Sequence, residues 1–442
     1  MTTNILSLYT IYLYALYFMV FWCIVLPAGS VFGVNVKFIL AFFMLGLFFL
    51  CDSRKKFLVA PLIILLLFYF FVVMWMLLGM FYGYQVADVL EETKLFSSTG
   101  LLVYLCYMAV YDGILDTKTF LKFIVNCVFI YAFLKVFFTG LIFFKMVEIS
   151  FFKEIYFSVF GQSFITMCIS SDLWRMAHTC DIFLPVAVFL ILNKFVEYKK
   201  TSNTLIVLSF FILAIFFSYT RFIWGYFVFV LCISFFENRM YRHYLILFGI
   251  IIAILVPILA DSKIFDVIGD LITQRFAGAE TLDSDLIRQN QFYVLCNFWL
   301  KHPFFGWGMG SHVVGYIRSE TYAFSYEIQW LSFLYKFGIV GILCLMAFIF
   351  IPVIVFLNSI LKEHKATKSV LATRQQKCIL SSWCRVDQGS LVLNIGGLPS
   401  RSFSVMLLYA FFLIGGFTNP ILFTAPFAIV SVVVLLLVKD KS

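Results

Sequence analysis

Residues 57–80 read FLVAPLIILLLFYFFVVMWMLLGM, and this stretch contains no charged residue. A helix of about 20 apolar residues crosses the hydrocarbon core of a bilayer, which is roughly 30 Å thick. The rest of the chain has the same character: 63% of its 442 residues are hydrophobic, 12% are charged, and the mean hydropathy is +1.02. Such values lie far from those of a soluble domain, so the sequence predicts an all-α polytopic integral membrane protein.

Apolar stretches recur along the whole chain, and together they predict about twelve transmembrane helices. The predicted spans cover residues 5–27, 34–51, 57–80, 95–111, 120–144, 176–194, 203–219, 222–236, 243–260, 330–357, 402–417 and 420–438. They divide the chain into 1–260 with helices 1–9, 261–326 as a large external loop carrying the candidate active site, 327–360 with helix 10, 361–401 as a basic cytoplasmic loop, and 402–442 with helices 11 and 12 and a cytoplasmic tail.

The positions of Lys and Arg predict the orientation, because positively charged loops stay in the cytoplasm. With both termini inside, nineteen of these residues fall in cytoplasmic segments and eleven on the opposite side. Five of the eleven lie in the loop 261–326, which is too long for the rule to weigh heavily. The formal charge of +9 therefore reports topology, and we expect no nucleic-acid partner.

Two further features concern processing and metals. Residues 1–10 carry no Lys or Arg, so the first span lacks the basic region of a signal peptide and is expected to remain as a helix. The eleven cysteines are scattered, and the close pair Cys378 and Cys384 lacks zinc-ligand spacing. We expect neither a disulfide framework nor a structural metal.

The external loop contains the run His302-Pro303-Phe304-Phe305-Gly306-Trp307-Gly308-Met309-Gly310-Ser311-His312. Gly306, Gly308 and Gly310 alternate within it, which lets backbone N–H groups approach an anion or a sugar closely. A glycine-rich turn between two helices would show the same pattern. We predict the three glycines and His302 as substrate-binding residues, with the turn as the alternative.

An arginine upstream of this run lies on a predicted helix. Asp283 and Ser284 can cap a helix that runs to Lys301 and ends before the His-Pro pair. On this helix Arg288 shares a face with the apolar residues Phe292, Leu295 and Trp299. An arginine on an apolar face points toward protein or membrane, where it binds a ligand or forms an ion pair with Asp285 one turn earlier.

Two more charged residues lie at predicted membrane boundaries. Arg221 ends the polar interruption Ser218-Tyr219-Thr220-Arg221 near the external surface, and its alternative role is a snorkelling anchor. Glu327 opens the tenth span, where the dipole of the helix N-terminus stabilises a carboxylate, and its alternative role is a simple dipole partner.

Arg175, His178 and Asp181 lie at the external end of the sixth span, spaced so that all three share one helix face. Arg175 and His178 are predicted to bind a phosphate or an acceptor sugar. The alternative is a self-satisfied ion pair that caps the span.

These features together resemble the O-antigen ligase and O-antigen polymerase superfamily of bacterial inner-membrane proteins. The resemblance covers about residues 215–341 and the twelve-helix layout. It rests on Ser218-Tyr219-Thr220-Arg221, on Arg288 and Tyr293 upstream of His302-Pro303-Phe304-Phe305-Gly306-Trp307-Gly308, and on the stretch from Gln329 to Gly341 with Gly338-Ile339-Val340-Gly341. It implies a fold similar to GT-C-type glycosyltransferases in the bacterial inner (cytoplasmic) membrane, with both termini cytoplasmic and a periplasmic loop 261–326.

The resemblance also ranks the activities. Ligases of this superfamily place a catalytic histidine eleven residues before a glycine that corresponds to Gly338, and here that position is Glu327. The exchange favours a repeat-unit polymerase over a ligase that transfers the glycan to lipid A-core. A flippase or transporter of lipid-linked oligosaccharide is the alternative from another class, but transporters tend to place their charges near the bilayer midplane within repeated halves.

The expected chemistry uses a glycan on an undecaprenyl diphosphate carrier. Arg221 and Arg288 are predicted to stabilise the departing diphosphate, with Arg275 as a third phosphate-binding cation. Glu327 is predicted to be the general base for the attacking hydroxyl. This metal-independent glycosyltransferase requires no cofactor, and its expected partners are the lipid-linked oligosaccharide, a chain-length regulator and a flippase.

Overall fold

The structure is a computed structural model, and it describes residues 2–26, 30–31, 34–51, 59–111, 115–160, 165–170, 173–237, 279–316, 322–355, 357–358, 400–417, 422 and 424–439. The predicted ninth span, residues 361–399 of the predicted cytoplasmic loop and the predicted phosphate ligand Arg275 lie outside these residues.

The described part of the chain is nearly all helical. In chain order its helices are α1 (Thr2–Val25), α2 (Val36–Cys51), α3 (Val59–Phe81), α4 (Val86–Tyr111), α5 (Thr117–Phe143), α6 (Ile149–Phe160), α7 (Phe183–Leu192), α8 (Thr201–Phe216), α9 (Arg221–Glu237), α10 (Ala279–Trp299), α11 (Gln329–Ile349), α12 (Ser400–Ile414) and α13 (Ala425–Lys439). Two short 3-10 helices, Thr179–Ile182 and Gly415–Phe417, precede α7 and follow α12.

The expectation of a purely helical protein was wrong in two places, which are small antiparallel hairpins. Strand β1 (Ser30–Val31) pairs with β2 (Val34–Asn35), and β3 (Ile165–Ser170) pairs with β4 (Leu173–Ala177). The second hairpin also corrects the sixth predicted span, because residues 176 and 177 belong to β4 and helical structure begins at Thr179. A hydrophobicity window cannot separate an apolar strand from the helix that follows it.

Four described helical segments are long and apolar enough to cross a membrane, namely Leu8–Val25, Pro61–Phe81, Thr117–Phe143 and Gln329–Ile349. Six shorter apolar helices are Val36–Leu50, Thr179–Leu192, Thr201–Phe216, Arg221–Phe236, Phe403–Ile414 and Ala425–Val438. These helices support the prediction of a membrane protein, whereas the count of twelve spans stays a prediction.

Burial separates the central helices from the peripheral ones. Every residue of α7 is buried, and so are residues 427–438 of α13, as expected for helices that are apolar on all sides and lie inside a bundle. The most apolar segment, Pro61–Phe81 in α3, is only 28% buried. Its outward side chains, such as Leu66 and Phe70, form the kind of surface that lipid covers.

Helix α4 is longer than the predicted fourth span 95–111, because it begins at Val86. The additional turns carry Asp88, Glu91 and Glu92, which a hydrophobicity window rejects. These turns pack on residues 302–312, which we call the glycine-rich run. Glu92 accepts hydrogen bonds from Gly310 of this run and from Lys336 of α11.

Helix α11 is interrupted at Gly338, whose φ of 63° and ψ of −171° are not helical. The glycine-rich run fills this break, because the backbone groups released from the helix bond to the run. The four hydrogen bonds are Ile339 N to Pro303 O at 2.9 Å, Val340 N to Phe304 O at 3.0 Å, Trp307 N to Tyr335 O at 3.2 Å and Gly308 N to Lys336 O at 2.8 Å. The run is therefore fixed to α11 rather than being a mobile connection between helices.

Candidate active site

Three segments that are far apart in the sequence meet around the neighbouring residues Asp285 and Arg288 of α10. Arg221 donates from Nη2 to Asp285 Oδ1 at 3.0 Å, and Arg288 donates from Nη1 to the same oxygen at 2.9 Å. Arg288 also donates from Nε to Glu327 Oε2 at 3.0 Å. The structure therefore brings together the three residues predicted as catalytic, Arg221, Arg288 and Glu327. We call these three residues and Asp285 the arginine cluster.

Arg221 is placed by the turn between α8 and α9. Tyr219 has the positive φ of 46°, and the Thr220 hydroxyl donates to the Ser218 carbonyl at 3.0 Å. Helix α9 then begins at Arg221. A cation is disfavoured at the positive end of a helix dipole, so the contact with Asp285 offsets that penalty.

Arg288 and Asp285 are three residues apart on α10, and their ion pair confirms the pairing that was the alternative interpretation of Arg288. The predicted start of this helix was wrong, since α10 begins at Ala279 and Asp283 lies inside it. Ala279-Glu280-Thr281-Leu282 has no helix-breaking residue, so the helix extends through it. Leu295, on the same face as Arg288, is fully buried and anchors that face against the protein.

The sequence predicted Glu327 in the first turn of the tenth span. In the structure Glu327 lies just before α11, which begins at Gln329. Ile328 is the N-cap residue, and its backbone N–H donates to Gln291 Oε1 of α10 at 2.9 Å. Gln291 is completely buried, so this bond fixes the start of α11 against α10. Glu327 is thereby held beside Arg288. Its carboxylate contacts the Arg288 guanidinium, so it is more than a partner of the helix dipole of α11.

The arginine cluster is open enough for a ligand. The side chains of Arg221, Asp285, Arg288 and Glu327 are 31%, 46%, 26% and 22% exposed. A guanidinium has five N–H donors, and the Arg221 Nε and Nη1 and the Arg288 Nη2 groups have no partner among the described residues. Phosphate oxygens are the ligands that such paired guanidinium groups favour.

Gly306, Gly308 and Gly310 all have positive φ, at 68°, 84° and 73°. Their N–H groups donate within the protein, to His302 O at 2.9 Å, to Lys336 O at 2.8 Å and to Glu92 Oε2 at 2.6 Å. The idea that these N–H groups receive an anion or a sugar therefore has no support in this geometry. The three glycines instead allow close packing of the run on the neighbouring helices.

Comparison with known families adds the class of protein. Residues 205–346 match a family model described as O-antigen ligase. This part, about a third of the chain, is similar to the O-antigen ligase family. The result confirms the resemblance seen in the sequence, and the family covers glycosyltransferase-like O-antigen ligases and polymerases. Comparisons with curated proteins and with solved structures find no similar protein.

The family-matched segment contains Arg221, Asp285, Arg288 and Glu327, so the whole arginine cluster falls inside it. It also contains the glycine-rich run and the interrupted helix α11 as far as residue 346. The predicted ligands Arg175 and His178 lie outside it.

Within the family-matched segment, His302 packs between two aromatic rings. Its Nδ1 is 3.1 Å from the Tyr82 hydroxyl, and its ring centroid is 4.2 Å from that of Trp307. These contacts join the end of α3 to the glycine-rich run. A role for His302 in substrate binding stays a prediction.

Arg175 and His178 do not share a helix face, so that expectation was wrong. Arg175 lies in β4, and His178 is the N-cap of the 3-10 helix that precedes α7. Asp181 accepts from the His178 N–H at 3.1 Å and pairs with buried Lys135 of α5 at 2.6 Å. Asp181 is thus in an ion pair at this end of the span, but its described cation is Lys135, which is not one of the three residues in the predicted pair. Substrate binding by Arg175 and His178 stays a prediction.

Sequence reasoning missed the shared role of Asp285 and the acidic partner of Lys336, which is Glu92 of α4 at 2.5 Å. A signal for the second pair was present. Lys336 lies inside an apolar span, where a charge requires a partner, and Glu92 is a carboxylate at the start of another apolar helix.

Replacing Gly308 by alanine is expected to destabilise the protein by about 2–5 kcal/mol, because an added Cβ forces a left-handed residue to carry a side chain and overpacks the site. That Cβ would lie 2.1 Å from the Gly79 backbone N of α3. Gly46→Ala in α2 is the control, since nothing lies within 4 Å of its Cβ. Thermal unfolding of the purified proteins in detergent measures the difference, and equal unfolding temperatures for both variants would contradict the packing role.

The pH dependence of the arginine cluster is expected to follow Asp285. The hydrogen bond from Arg221, with the charges of both guanidinium groups, holds the pKa of the Asp285 carboxyl below its ordinary value. A lowered folded-state pKa means that the stabilisation is complete above the ordinary value of about 3.9 and is lost as the pH falls through the lowered pKa. Asp285→Asn should therefore unfold at a lower temperature than wild type at pH 7, and the difference between the two unfolding temperatures should shrink as the pH falls below about 4. A difference that persists unchanged at pH 3 would exclude the carboxylate as its source.

Proposed function

We propose that this protein is a surface-polysaccharide (O-antigen) polymerase. It transfers a glycan chain from an undecaprenyl diphosphate carrier to a hydroxyl of another lipid-linked repeat unit at the periplasmic face. The observation that carries the proposal is the arginine cluster, in which two guanidinium groups and two carboxylates contact one another while their side chains stay 22% to 46% exposed.

In the proposed reaction the acceptor hydroxyl oxygen attacks the anomeric carbon of the donor glycan. A new C–O bond forms while the bond from that carbon to the diphosphate oxygen breaks, and the diphosphate departs with the electron pair. Glu327 receives the proton of the attacking hydroxyl. Arg221 and Arg288 bind the departing diphosphate through the N–H groups that are not used by Asp285 or Glu327.

The composition of the arginine cluster favours this transfer over glycoside hydrolysis. A diphosphate is a good leaving group and needs no general acid, whereas glycosidases use two carboxyl groups that flank the scissile bond. Asp285 is the second carboxylate here, but both arginines bind one of its oxygens and its pKa is lowered, so it is a poor proton donor. The arginines supply the positive charge that a metal would otherwise provide.

The wider setting of the proposal follows the family. It comprises twelve spans similar to those of GT-C-type glycosyltransferases, a location in the bacterial inner membrane, both termini in the cytoplasm, and work alongside a flippase and a chain-length regulator.

Ligation of the glycan to lipid A-core is the second candidate, because the matching family model is described as O-antigen ligase. Glu327 at the position of the ligase histidine is the reason that we rank the polymerase first. The family match gives no support to the flippase alternative.

A strain from which this protein has been deleted distinguishes the candidates by the glycan attached to lipid A-core. A single repeat unit without a ladder of longer chains, with the ladder restored by the wild-type gene, is expected for a polymerase. Loss of even the single unit would overturn that assignment in favour of a ligase or flippase. Chain elongation by the purified protein, using lipid-linked repeat units extracted from the deletion strain, then separates catalysis from transport.

A further inference from the structure

A buried ion pair outside the arginine cluster connects four segments of the protein. Lys336 Nζ of α11 lies 2.5 Å from Glu92 Oε1 of α4, and the two side chains are 3% and 5% exposed. The same ammonium donates to the Phe324 carbonyl at 2.7 Å. The other carboxylate oxygen accepts the Gly310 N–H at 2.6 Å.

These bonds bear directly on the position of Glu327. Phe324 lies three residues before Glu327, so Lys336 fixes the backbone that leads into it. The backbone that follows is fixed as well, since the Ile328 N–H donates to buried Gln291. Glu327 is therefore held from both sides, by Lys336 and by Gln291.

A contribution to folding stability does not by itself explain why this position holds a buried ion pair. Removing two charges from water is costly, and apolar residues of similar volume often stabilise a protein equally well or better. An apolar pair would not reproduce the bonds to the Phe324 carbonyl and the Gly310 N–H. The specific contribution of the charged pair is thus geometric.

We propose that Glu92 and Lys336 are positioning residues that hold the Glu327 carboxylate in its reactive place beside Arg288. This inference rests on the proposed function. It assigns a role to Glu92, which lies outside the family-matched segment, so the N-terminal half of the chain takes part in building the site.

The test measures kcat and KM of purified protein in liposomes, with lipid-linked repeat units extracted from the deletion strain. Lys336→Met is expected to lower kcat about 10²-fold, the effect of a misplacement of about 1 Å, with KM changed less than about 3-fold because the arginines still bind the donor. Lys336→Arg keeps a buried donor and is expected to recover at least about a third of the wild-type kcat. Glu92→Gln keeps an acceptor for Gly310 and should lie between the two.

Asn193→Leu is the control for a purely structural loss. Asn193 is fully buried and donates to Ser234 of α9 at 3.0 Å, and neither residue is among the described hydrogen-bond partners of Glu92 and Lys336. It is expected to lower the unfolding temperature while kcat per folded molecule stays at the wild-type value. If Lys336→Met does not fold, the apolar double variant Glu92→Met/Lys336→Met replaces it, with the same loss of kcat expected.

Wild-type kcat per folded molecule in Lys336→Met or in the double variant would overturn the positioning role. Glu327→Gln, measured in parallel, keeps the two proposals apart. An inactive Glu327→Gln beside an active Lys336→Met defeats only the positioning role. An active Glu327→Gln defeats Glu327 as the base, whereas absence of elongation by the wild-type protein defeats the proposed function itself.

Discussion

Arg288→Ala is expected to reduce polymerisation about 10²–10³-fold, the cost of removing one donor that stabilises charge in a transition state. Arg288 is the residue that joins the two carboxylates of the arginine cluster, through Nη1 to Asp285 and through Nε to Glu327. Its loss removes a hydrogen-bond donor to the departing diphosphate, and it also removes the guanidinium that contacts Glu327. The ladder of glycan lengths in the deletion strain, normalised to the amount of protein in the membrane, measures the effect.

Two matched variants serve as controls for Arg288→Ala. Arg288→Lys keeps the charge but loses the planar fork, so it should retain more activity than Arg288→Ala and less than wild type. Lys301→Ala removes an exposed cation two residues after the end of the same helix, and it should leave the ladder unchanged. A full ladder in Arg288→Ala at normal membrane levels would exclude Arg288 from the reaction.

Glu327→Gln is expected to reduce polymerisation about 10²–10⁴-fold, the usual contribution of a positioned general base. Glutamine has the same shape, and its amide oxygen can still accept from Arg288 Nε, so the arrangement of the site should survive. The substitution removes the ability to take a proton from the attacking hydroxyl. Rates from purified protein with the extracted repeat units measure the change, and unaltered thermal unfolding shows that the fold is intact.

Glu327→His tests the same position by restoring a base of a different kind. It should retain more activity than Glu327→Gln, with a rate that rises as the imidazole deprotonates near pH 6.5. Glu91→Gln is the control, because Glu91 is a carboxylate of α4 paired with Lys94. An intact ladder in Glu327→Gln would end the case for Glu327 as the base.

Much of the candidate site was predictable because charges are rare in this chain and expensive in a membrane. Arg221, Arg288 and Glu327 each interrupt or border an apolar stretch, and that local contrast is sufficient to select them. Their mutual contacts required the structure. Asp285 accepts hydrogen bonds from both arginines, whereas the sequence showed it only as a helical neighbour of Arg288.

The glycine-rich run illustrates the opposite case. Its alternation fits a ligand loop and a packing turn equally well, since both require positive φ and little side-chain volume. The acceptors of the glycine N–H groups, which all lie within the protein, favour the packing turn over the ligand loop. Gly308 donates to α11 and approaches the backbone of α3, two helices far from it in sequence, so no local pattern could identify the packing role.

The sequence by itself determined the membrane class, most helices and the polar residues worth testing, because these depend on composition and on neighbours along the chain. The tertiary structure decided which charges meet: Arg221 with Asp285, Arg288 with Glu327, and Glu92 with Lys336. The reason is physical. A buried or half-buried charge must find a partner, but the packing of whole helices selects that partner, and the selection depends on contacts across distant segments of the chain.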